Sequence, residues 1–228
     1  MVQNNIIDDS FYSGVKKLLF LGSSCIDPKL CPQPIKEEYL LTVALEPTNE
    51  FYALAKIAGI KMCQAYHRRH GFNAISLMPT NLYGPGDNFD LNSSHVMPAL
   101  IRKLHEAKLS GAKEVVMWGT DTPKREFLHV DDLANACVHL MQTYNDAEIV
   151  NVGTGEDVTI WELAKLIKSA VGFEGEIALD LTKPDGTPRK LLEIRKLHIL
   201  GWKHKIELKS GIKSTYLWFI ENRSAVRT

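Results

Sequence analysis

The sequence predicts an α/β fold with a largely parallel β-sheet. Strand-like and helix-like stretches alternate along the 228 residues without an internal repeat, as expected when helices connect parallel strands. The run from Lys17 to Gly22 is short, apolar and closed by glycine, which is typical of a buried parallel strand. Apolar residues make up 45% of the chain and charged residues 24%, which indicates a soluble globular protein with a core of ordinary size.

The first half of the chain follows this pattern. Residues 3–14 are typical of the end of a helix, and residues 17–22 of a strand. The proline-containing stretch that follows, up to residue 46, predicts a long irregular loop. Helix-forming residues dominate from 50 to 70, and Gly71 is placed as the C-terminal stop. Residues 72–78 predict the next strand, after which comes a turn rich in proline, asparagine and glycine.

The second half alternates in the same way. Its predicted elements are helices at 96–110, 131–144 and 209–222, strands at 114–118, 148–152 and near 177, and a loop at 183–188. Asp131 and Asp132 are interpreted as the N-cap of the middle helix. Thr159 and Glu162 form a capping box that opens a further helix, which Gly172 ends.

Charge and cysteine content exclude several classes of protein. Lysine plus arginine and aspartate plus glutamate both number 27, so nothing favours nucleic acid or an anionic membrane as a partner. The four cysteines have neither metal-site nor redox spacing, which indicates a reducing, cytoplasmic setting. The N-terminus is acidic, unlike a signal peptide, and no apolar run approaches membrane-spanning length.

Tyr52 and Lys56 carry the sharpest local signal. A spacing of four places both side chains on one face of the predicted helix, about 6 Å apart at Cβ. A nearby ammonium favours the phenolate, which brings the phenol toward useful acid–base chemistry. The pattern also arises by chance in many helices. Ser23, directly after a predicted buried strand, strengthens it, because ligands bind beyond the carboxyl ends of parallel strands. Serine, tyrosine and lysine in this order fit a carbonyl reductase.

Seven motifs together resemble GDP-L-fucose synthase, of the extended short-chain dehydrogenase/reductase family. They are LGSSCI at 21–26, LEPTNE at 45–50, YALAKIAGIK at 52–61, MPTNLYGP at 78–85, WG at 118–119, REFLHVDD at 125–132 and KPDGTPRK at 183–190. The resemblance covers essentially the whole chain. It implies an NADP(H)-dependent enzyme that epimerises GDP-4-keto-6-deoxy-D-mannose at carbons 3 and 5 and then reduces the 4-keto group.

The resemblance also implies roles for individual residues. Tyr52 matches the proton donor of the reduction, Lys56 its tuning partner and ribose ligand, and Ser23 the ligand of the keto oxygen. Cys25 and His95 match the base and acid of the epimerisations. The implied cofactor-binding residues are Ser23, Ser24, Lys56, Pro79, Thr80, Asn81, Leu82 and His95. The implied ligands of the GDP-sugar are Lys103, Trp118, Arg125 and Asp185.

Several of these residues have a plainer interpretation. Cys25 without the resemblance is more often a small buried hydrophobic residue. Trp118 at a strand end fits a core position. Lys103 and Arg125 fit solvated surface positions, where charges contribute little.

The family fold is a Rossmann-type parallel sheet with a smaller α+β substrate-binding domain. Residues 1–83 match the later part of the dinucleotide-binding domain and 84–228 mainly the substrate domain, with 126–155 returning to the Rossmann sheet. The first βα units of the family, which carry its glycine-rich turn, are expected to be missing. The G-x-G at 153–155 comes late in the chain and is interpreted as unrelated to that turn.

Asp27 departs from the family pattern, which has an aromatic residue there, and its carboxylate is expected to oppose activation of Cys25. Three alternatives stay open beside the enzyme: a non-catalytic GDP-sugar-binding remnant, an inactive gene fragment, and another nucleotide-sugar epimerase of the superfamily. The resemblance further implies a homodimer formed through the helix at 50–70.

Overall fold

The structure, a computed structural model, describes residues 2–223 and has the predicted mixed α/β architecture with parallel strands. The helices are α1 (Val2–Tyr12), α2 (Glu50–His70), α3 (Val96–Ser110), α4 (Val130–Thr143), α5 (Ile160–Val171), α6 (Arg195–Ile199) and α7 (Leu208–Glu221). The strands are β1 (Lys17–Leu21), β2 (Asn73–Pro79), β3 (Asn81–Tyr83), β4 (Glu114–Trp118), β5 (Lys124–His129), β6 (Val150–Val152), β7 (Asp157–Thr159), β8 (Glu176–Asp180) and β9 (Arg189–Lys190).

A three-stranded parallel sheet in the order β1-β2-β6 positions the first part of the site. Strands β2 and β6 are largely buried, with Ile75, Leu77 and Val150 wholly inaccessible to solvent. Strand β1 lies at the edge of this sheet and is only partly buried, so the prediction of a buried strand there was wrong. One core cluster joins this sheet to α4 and α6, and a second lies between the sheet and α2. The carboxyl ends of β1 and β2 therefore lie side by side at one edge, where the chain leaves toward Ser23.

Strand β5 is the centre of a second, mixed sheet. It pairs in parallel with β3 and β9 and antiparallel with β7. A separate parallel pair, β4 and β8, covers a helical layer of α3, α5 and α7, whose core includes the fully buried Leu104, Ile167 and Phe219. These elements bring the end of β4, the start of β5 and the loop after β8 close together.

The predicted helices and strands agree with the structure where they depend on neighbouring residues, such as helix caps and glycine stops. Helix α2 has the predicted bounds, and Gly71 ends it in the left-handed conformation with φ 67°. Both hydrogen bonds of the capping box at Thr159 and Glu162 are present. The predicted irregular loop before α2 contains three short 3-10 turns. None of the helices in residues 2–223 combines the length and apolar content needed to cross a bilayer.

Candidate active site

Ser23 and Cys25 lie immediately beyond the carboxyl end of β1. The Gly22 N–H donates to the Leu77 carbonyl at 2.7 Å, so the pairing of β1 with β2 continues to the residue before Ser23. The Ser23 hydroxyl oxygen accepts the Cys25 N–H at 3.1 Å and caps the 3-10 turn Ser24–Ile26. Ser24 itself is buried. The hydroxyl of Ser23 and the thiol of Cys25 are both half-buried at this edge.

Helix α2 presents Tyr52 and Lys56 to the same edge of the sheet. Lys56 Nζ lies 5.8 Å from the centre of the Tyr52 ring and 5.3 Å from that of Phe20 in β1. It donates a 2.8 Å hydrogen bond to the Leu21 carbonyl. One turn later, Gly59 packs directly on the Phe20 ring, and a side chain there would collide with it. The helix therefore approaches β1 closely, with its lysine tied to the last residue of the strand.

The phenol of Tyr52 is electrostatically linked to Ser23 and Cys25. Partial burial raises the pKa of Tyr52, a hydrogen bond with the Ser23 hydroxyl lowers it, and the negative charge of Cys25 raises it. The balance is a pKa above the ordinary value, so the phenol holds its proton at neutral pH. The three side chains are thus one interacting group, and its phenol is poised to donate a proton rather than to accept one.

Arg125 connects this group to the loop that contains residues 183–190. Its side chain donates to the Lys124 carbonyl at 2.7 Å, and a Cβ on Gly186 would stand 3.2 Å from its Nη2 atom. Burial lowers the pKa of Arg125, and the charge of Cys25 raises it. The guanidinium therefore lies near both the thiol and the loop.

The other predicted sugar ligands converge at the end of β4. Trp118, the last residue of that strand, is 69% exposed, and Lys103 Nζ of α3 lies 5.8 Å from its ring centre. The Asp185 carboxylate accepts hydrogen bonds from the Thr120 N–H and hydroxyl, both at 2.7 Å. These bonds lower the pKa of Asp185. Asp185 thus anchors its loop to the segment that follows Trp118.

His95 stands apart from the thiol in this structure. It is the exposed N-cap residue of α3, and its side chain makes no capping hydrogen bond. Its charge lowers the pKa of Asp87, although burial raises that pKa more strongly. Within residues 2–223 no hydrogen bond or ion pair joins His95 to Cys25 or Tyr52.

The loop predicted to lie beside the nicotinamide follows β2 directly. Pro79 is the last residue of β2, and Leu82 is half-buried in β3. The Thr80 hydroxyl and the Asn81 amide both donate to the Glu126 carbonyl, at 3.3 and 2.8 Å. These two side chains therefore fix the loop against β5.

The Glu126 side chain is a structural anchor that the sequence did not reveal. It is fully buried, and its carboxylate accepts the N–H groups of Thr154 at 2.6 Å, Gly155 at 2.7 Å and Leu192 at 2.9 Å. A side chain on Gly153 would collide with this carboxylate. Burial raises the pKa of Glu126, and these backbone hydrogen bonds lower it. The G-x-G turn therefore binds an internal carboxyl group, which supports the interpretation that it is no phosphate-binding turn. In the sequence, only the G-x-G at 153–155 pointed to a special backbone conformation near this carboxylate.

Asp27 is buried, and its charge acts on the Cys31 thiol. Burial raises its pKa to about 7, Lys190 lowers it, and Glu37 raises it. In turn, the Asp27 charge contributes to a raised pKa of Cys31, after the larger effect of that thiol's own burial. The departure at position 27 thus places its carboxyl group toward Cys31 and Lys190.

Comparisons with known proteins agree with this geometry. The model of the NAD dependent epimerase/dehydratase family matches residues 1–153. GDP-L-fucose synthase 1 of Arabidopsis thaliana is 62% identical over 221 residues, which cover 97% of this chain and 68% of that protein. The GDP-L-fucose synthase of Escherichia coli (strain K12) is 53% identical over 236 residues, which cover 100% of this chain and 74% of that protein.

Among solved structures, a GDP-L-fucose synthetase from Naegleria fowleri bound to NADP superposes with a TM-score of 0.93. It is 31% identical in sequence, and the match covers 99% of this chain and 73% of that one. The strand-end serine, the tyrosine and lysine of α2, and the matches over nearly the whole chain lead to one assignment. The chain belongs to the NAD dependent epimerase/dehydratase family and, within it, to the GDP-L-fucose synthases.

Proposed function

We propose that this chain catalyses the NADPH-dependent 3,5-epimerisation and 4-keto reduction of GDP-4-keto-6-deoxy-D-mannose to GDP-L-fucose. The observation that carries the proposal is the convergence of Ser23, Tyr52 and Lys56 at the carboxyl end of β1. The relatives named GDP-L-fucose synthase support the substrate, and the structural neighbour bound to NADP supports the cofactor.

In the reduction, Tyr52 donates the proton to the sugar's 4-keto oxygen. Its raised pKa keeps the phenol protonated until the oxygen becomes basic, and the Ser23 hydroxyl holds that oxygen by a hydrogen bond. NADPH, when bound, supplies the hydride. Lys56, fixed by the Leu21 carbonyl, fits the ribose beside the nicotinamide, together with the loop of Pro79, Thr80, Asn81 and Leu82.

In the epimerisations, Cys25 removes a proton from the carbon next to the ketone and His95 returns one. This step requires the thiolate form of Cys25, and the Arg125 guanidinium lies near that thiol. The hydroxyls of Ser23 and Tyr52 stabilise the enolate oxygen by hydrogen bonding. Because no hydrogen bond or ion pair joins His95 to Cys25 within residues 2–223, we place the substrate between the base and the acid.

The nucleotide part of the substrate is assigned to the end of β4. Trp118 offers an exposed aromatic face, and Lys103 and Arg125 offer positive charge for the diphosphate. Asp185 contributes by holding the loop against Thr120. Residues 1–83 then supply the reductase machinery and 84–228 mainly the sugar-binding surface, with 126–155 shared between them.

We further propose a cytoplasmic homodimer that pairs through α2. Phe51 and Leu54 are 87% and 49% exposed on this helix, an apolar surface that a second copy would cover. All four cysteines are free thiols, which suits a reducing compartment. Light scattering on the chain and on a Phe51→Glu variant tests the dimer. A wild-type monomer would contradict it.

The enzymatic proposal is tested by turnover with GDP-4-keto-6-deoxy-D-mannose, followed as loss of NADPH fluorescence. Tyr52→Phe and Lys56→Met should each lower reduction by at least about a hundredfold. Lys61→Met, on the exposed side of the same helix, is the matched control and should leave the rate unchanged. In Tyr52→Phe, exchange of solvent deuterium into carbons 3 and 5 should continue at a reduced rate, because Cys25 and Ser23 are intact but one of the two hydrogen-bond donors to the enolate is lost. Wild-type reduction in either site variant, or GDP-sugar binding with no turnover in the unmodified chain, would contradict the proposal.

A further inference from the structure

An exposed tryptophan lies beside two lysines from different elements. Lys103 Nζ of α3 is 5.8 Å from the centre of the Trp118 ring, and Lys183 Nζ, from the loop after β8, is 5.5 Å from it. Within residues 2–223 neither lysine forms an ion pair with a carboxylate. Two ammonium groups close to one ring repel each other, and Lys183 also interacts electrostatically with the Asp180 carboxylate. An anionic ligand at the ring would lie close to both ammonium groups.

The backbone on both sides of Lys183 is held in place. The Lys183 N–H donates to the Asp180 carbonyl at 3.3 Å, and the Asp180 carboxylate accepts the Thr182 N–H at 3.0 Å and its hydroxyl at 2.5 Å. Two residues further on, Asp185 is bound to Thr120. The carboxylates of Asp180 and Asp185 therefore both accept hydrogen bonds that stabilise this loop. The loop in turn fixes the backbone position of Lys183.

We propose that Lys183 is a further substrate-binding residue, which contacts the diphosphate of the GDP-sugar at the Trp118 ring. The inference deepens the proposed function and rests on it. A nucleoside diphosphate combines a planar base, which stacks on an exposed indole, with a compact anion that two ammonium groups can share. No role for Lys183 followed from the motif assignments, which placed Lys103, Trp118, Arg125 and Asp185 at this site.

A second lysine–tryptophan pair in the molecule provides the control. Lys165 Nζ lies 5.9 Å from the centre of the Trp161 ring on α5. The distance is similar to that between Lys183 and Trp118. However, Lys165 and Trp161 lie on the same helix, and only one lysine is found near the Trp161 ring within residues 2–223. Lys165→Gln thus removes the same kind of contact at a place where no diphosphate is expected.

The test is calorimetric titration of the full chain with guanosine, GMP and GDP. Lys183→Gln should weaken GDP binding about three- to tenfold and GMP binding less, and it should leave guanosine binding unchanged. Its GDP affinity should also depend less on salt concentration. Lys183→Arg should retain most of the GDP affinity, and Lys165→Gln should bind all three ligands like the wild type.

Two results overturn the inference alone: GDP binding unaffected by Lys183→Gln, or equal losses for guanosine and GDP. The second would mean that the lysine supports the loop rather than the diphosphate. Failure of the wild-type chain to bind GDP at all would instead overturn the proposed function and this inference with it. The wild-type titration therefore separates the two failures.

Discussion

Replacing Asp27 by asparagine should make the protein more stable at neutral pH and change its dependence on pH. The Asp27 side chain is 5% exposed, and one of its carboxyl oxygens has no hydrogen-bond partner within residues 2–223. Burial raises the pKa from 3.8 to about 7, with Lys190 opposing the shift and Glu37 adding to it. The folded protein therefore holds this proton more tightly than the unfolded chain does.

The sign and size of the effect follow from that difference. Below pH 3.8 both states are protonated, so the carboxyl group costs no ionisation energy. As the pH rises from there to about 7, the unfolded state ionises first, and stability falls by about 1.4 kcal/mol per pH unit. The loss approaches about 4 kcal/mol above pH 7. Asparagine has a similar shape but does not ionise, so the variant should not lose this stability as the pH rises.

The assay is urea denaturation of wild type and Asp27→Asn across pH values from about 5 to 8. The difference in unfolding free energy should widen in favour of the variant up to about pH 7 and level off above it, without a change in m-value. Asp121→Asn, at an exposed carboxylate, is the control and should follow the wild type. If the unfolding free energies of wild type and Asp27→Asn changed in parallel with pH, the reasoning would be refuted. The Asp27 carboxyl group would then have the same pKa in the folded and unfolded states.

Two further predictions concern stability and use midpoints of urea denaturation at constant pH. Lys17 Nζ donates to the carbonyls of three residues at the C-terminal end of α4, at 2.5–3.3 Å, so Lys17→Met should cost about 2 kcal/mol. The neighbouring exposed Lys16→Met should cost almost nothing, and equal losses would contradict the capping role. Gly153→Ala should cost about 2 kcal/mol, because its methyl group collides with the buried Glu126 carboxylate, and an unchanged midpoint would count against this packing.

The sequence correctly predicted the helices and strands that are determined by their own residues. Helix α2 has the predicted bounds because its helix-forming residues run without a break to Gly71, which takes the left-handed conformation. Strand β5 was missed, because its first half is charged and its pairing partners come from distant parts of the chain. Strands this short are defined by their neighbours rather than by their own composition.

The interpretation of Asp132 as a helix cap was wrong for the same reason. The N-cap of α4 is His129, whose side chain accepts the Asp131 N–H. Asp132 is buried, and its carboxylate accepts the N–H groups of Lys205 and Ile206, more than seventy residues later. A carboxylate that binds distant backbone cannot be told from a capping one by its position in the sequence.

Some features of the candidate site follow from local sequence, whereas others depend on the tertiary structure. The placement of Ser23, Tyr52 and Lys56 follows from one strand, one helix and a spacing of four, which can be read from the sequence. The nearness of Arg125 to Cys25 depends on the meeting of two sheets, and no spacing predicts it. The resemblance assigned Arg125 to the diphosphate, and the structure adds that the charge of Cys25 raises the pKa of Arg125, against the larger effect of burial.

The loop that bears the thiol and the segment that follows the predicted sugar ligand Asp185 are joined by backbone hydrogen bonds. The Ile35 N–H donates to the Leu191 carbonyl at 2.7 Å, and the Glu193 N–H donates to the Ile35 carbonyl at 2.8 Å. Leu192, between them, donates its N–H to Glu126. Because the charge of Lys190 lowers the pKa of Asp27, an anion bound at residues 183–190 would alter the electrostatic environment of Asp27. The position of the thiol-bearing loop and the binding of the diphosphate should therefore be energetically coupled.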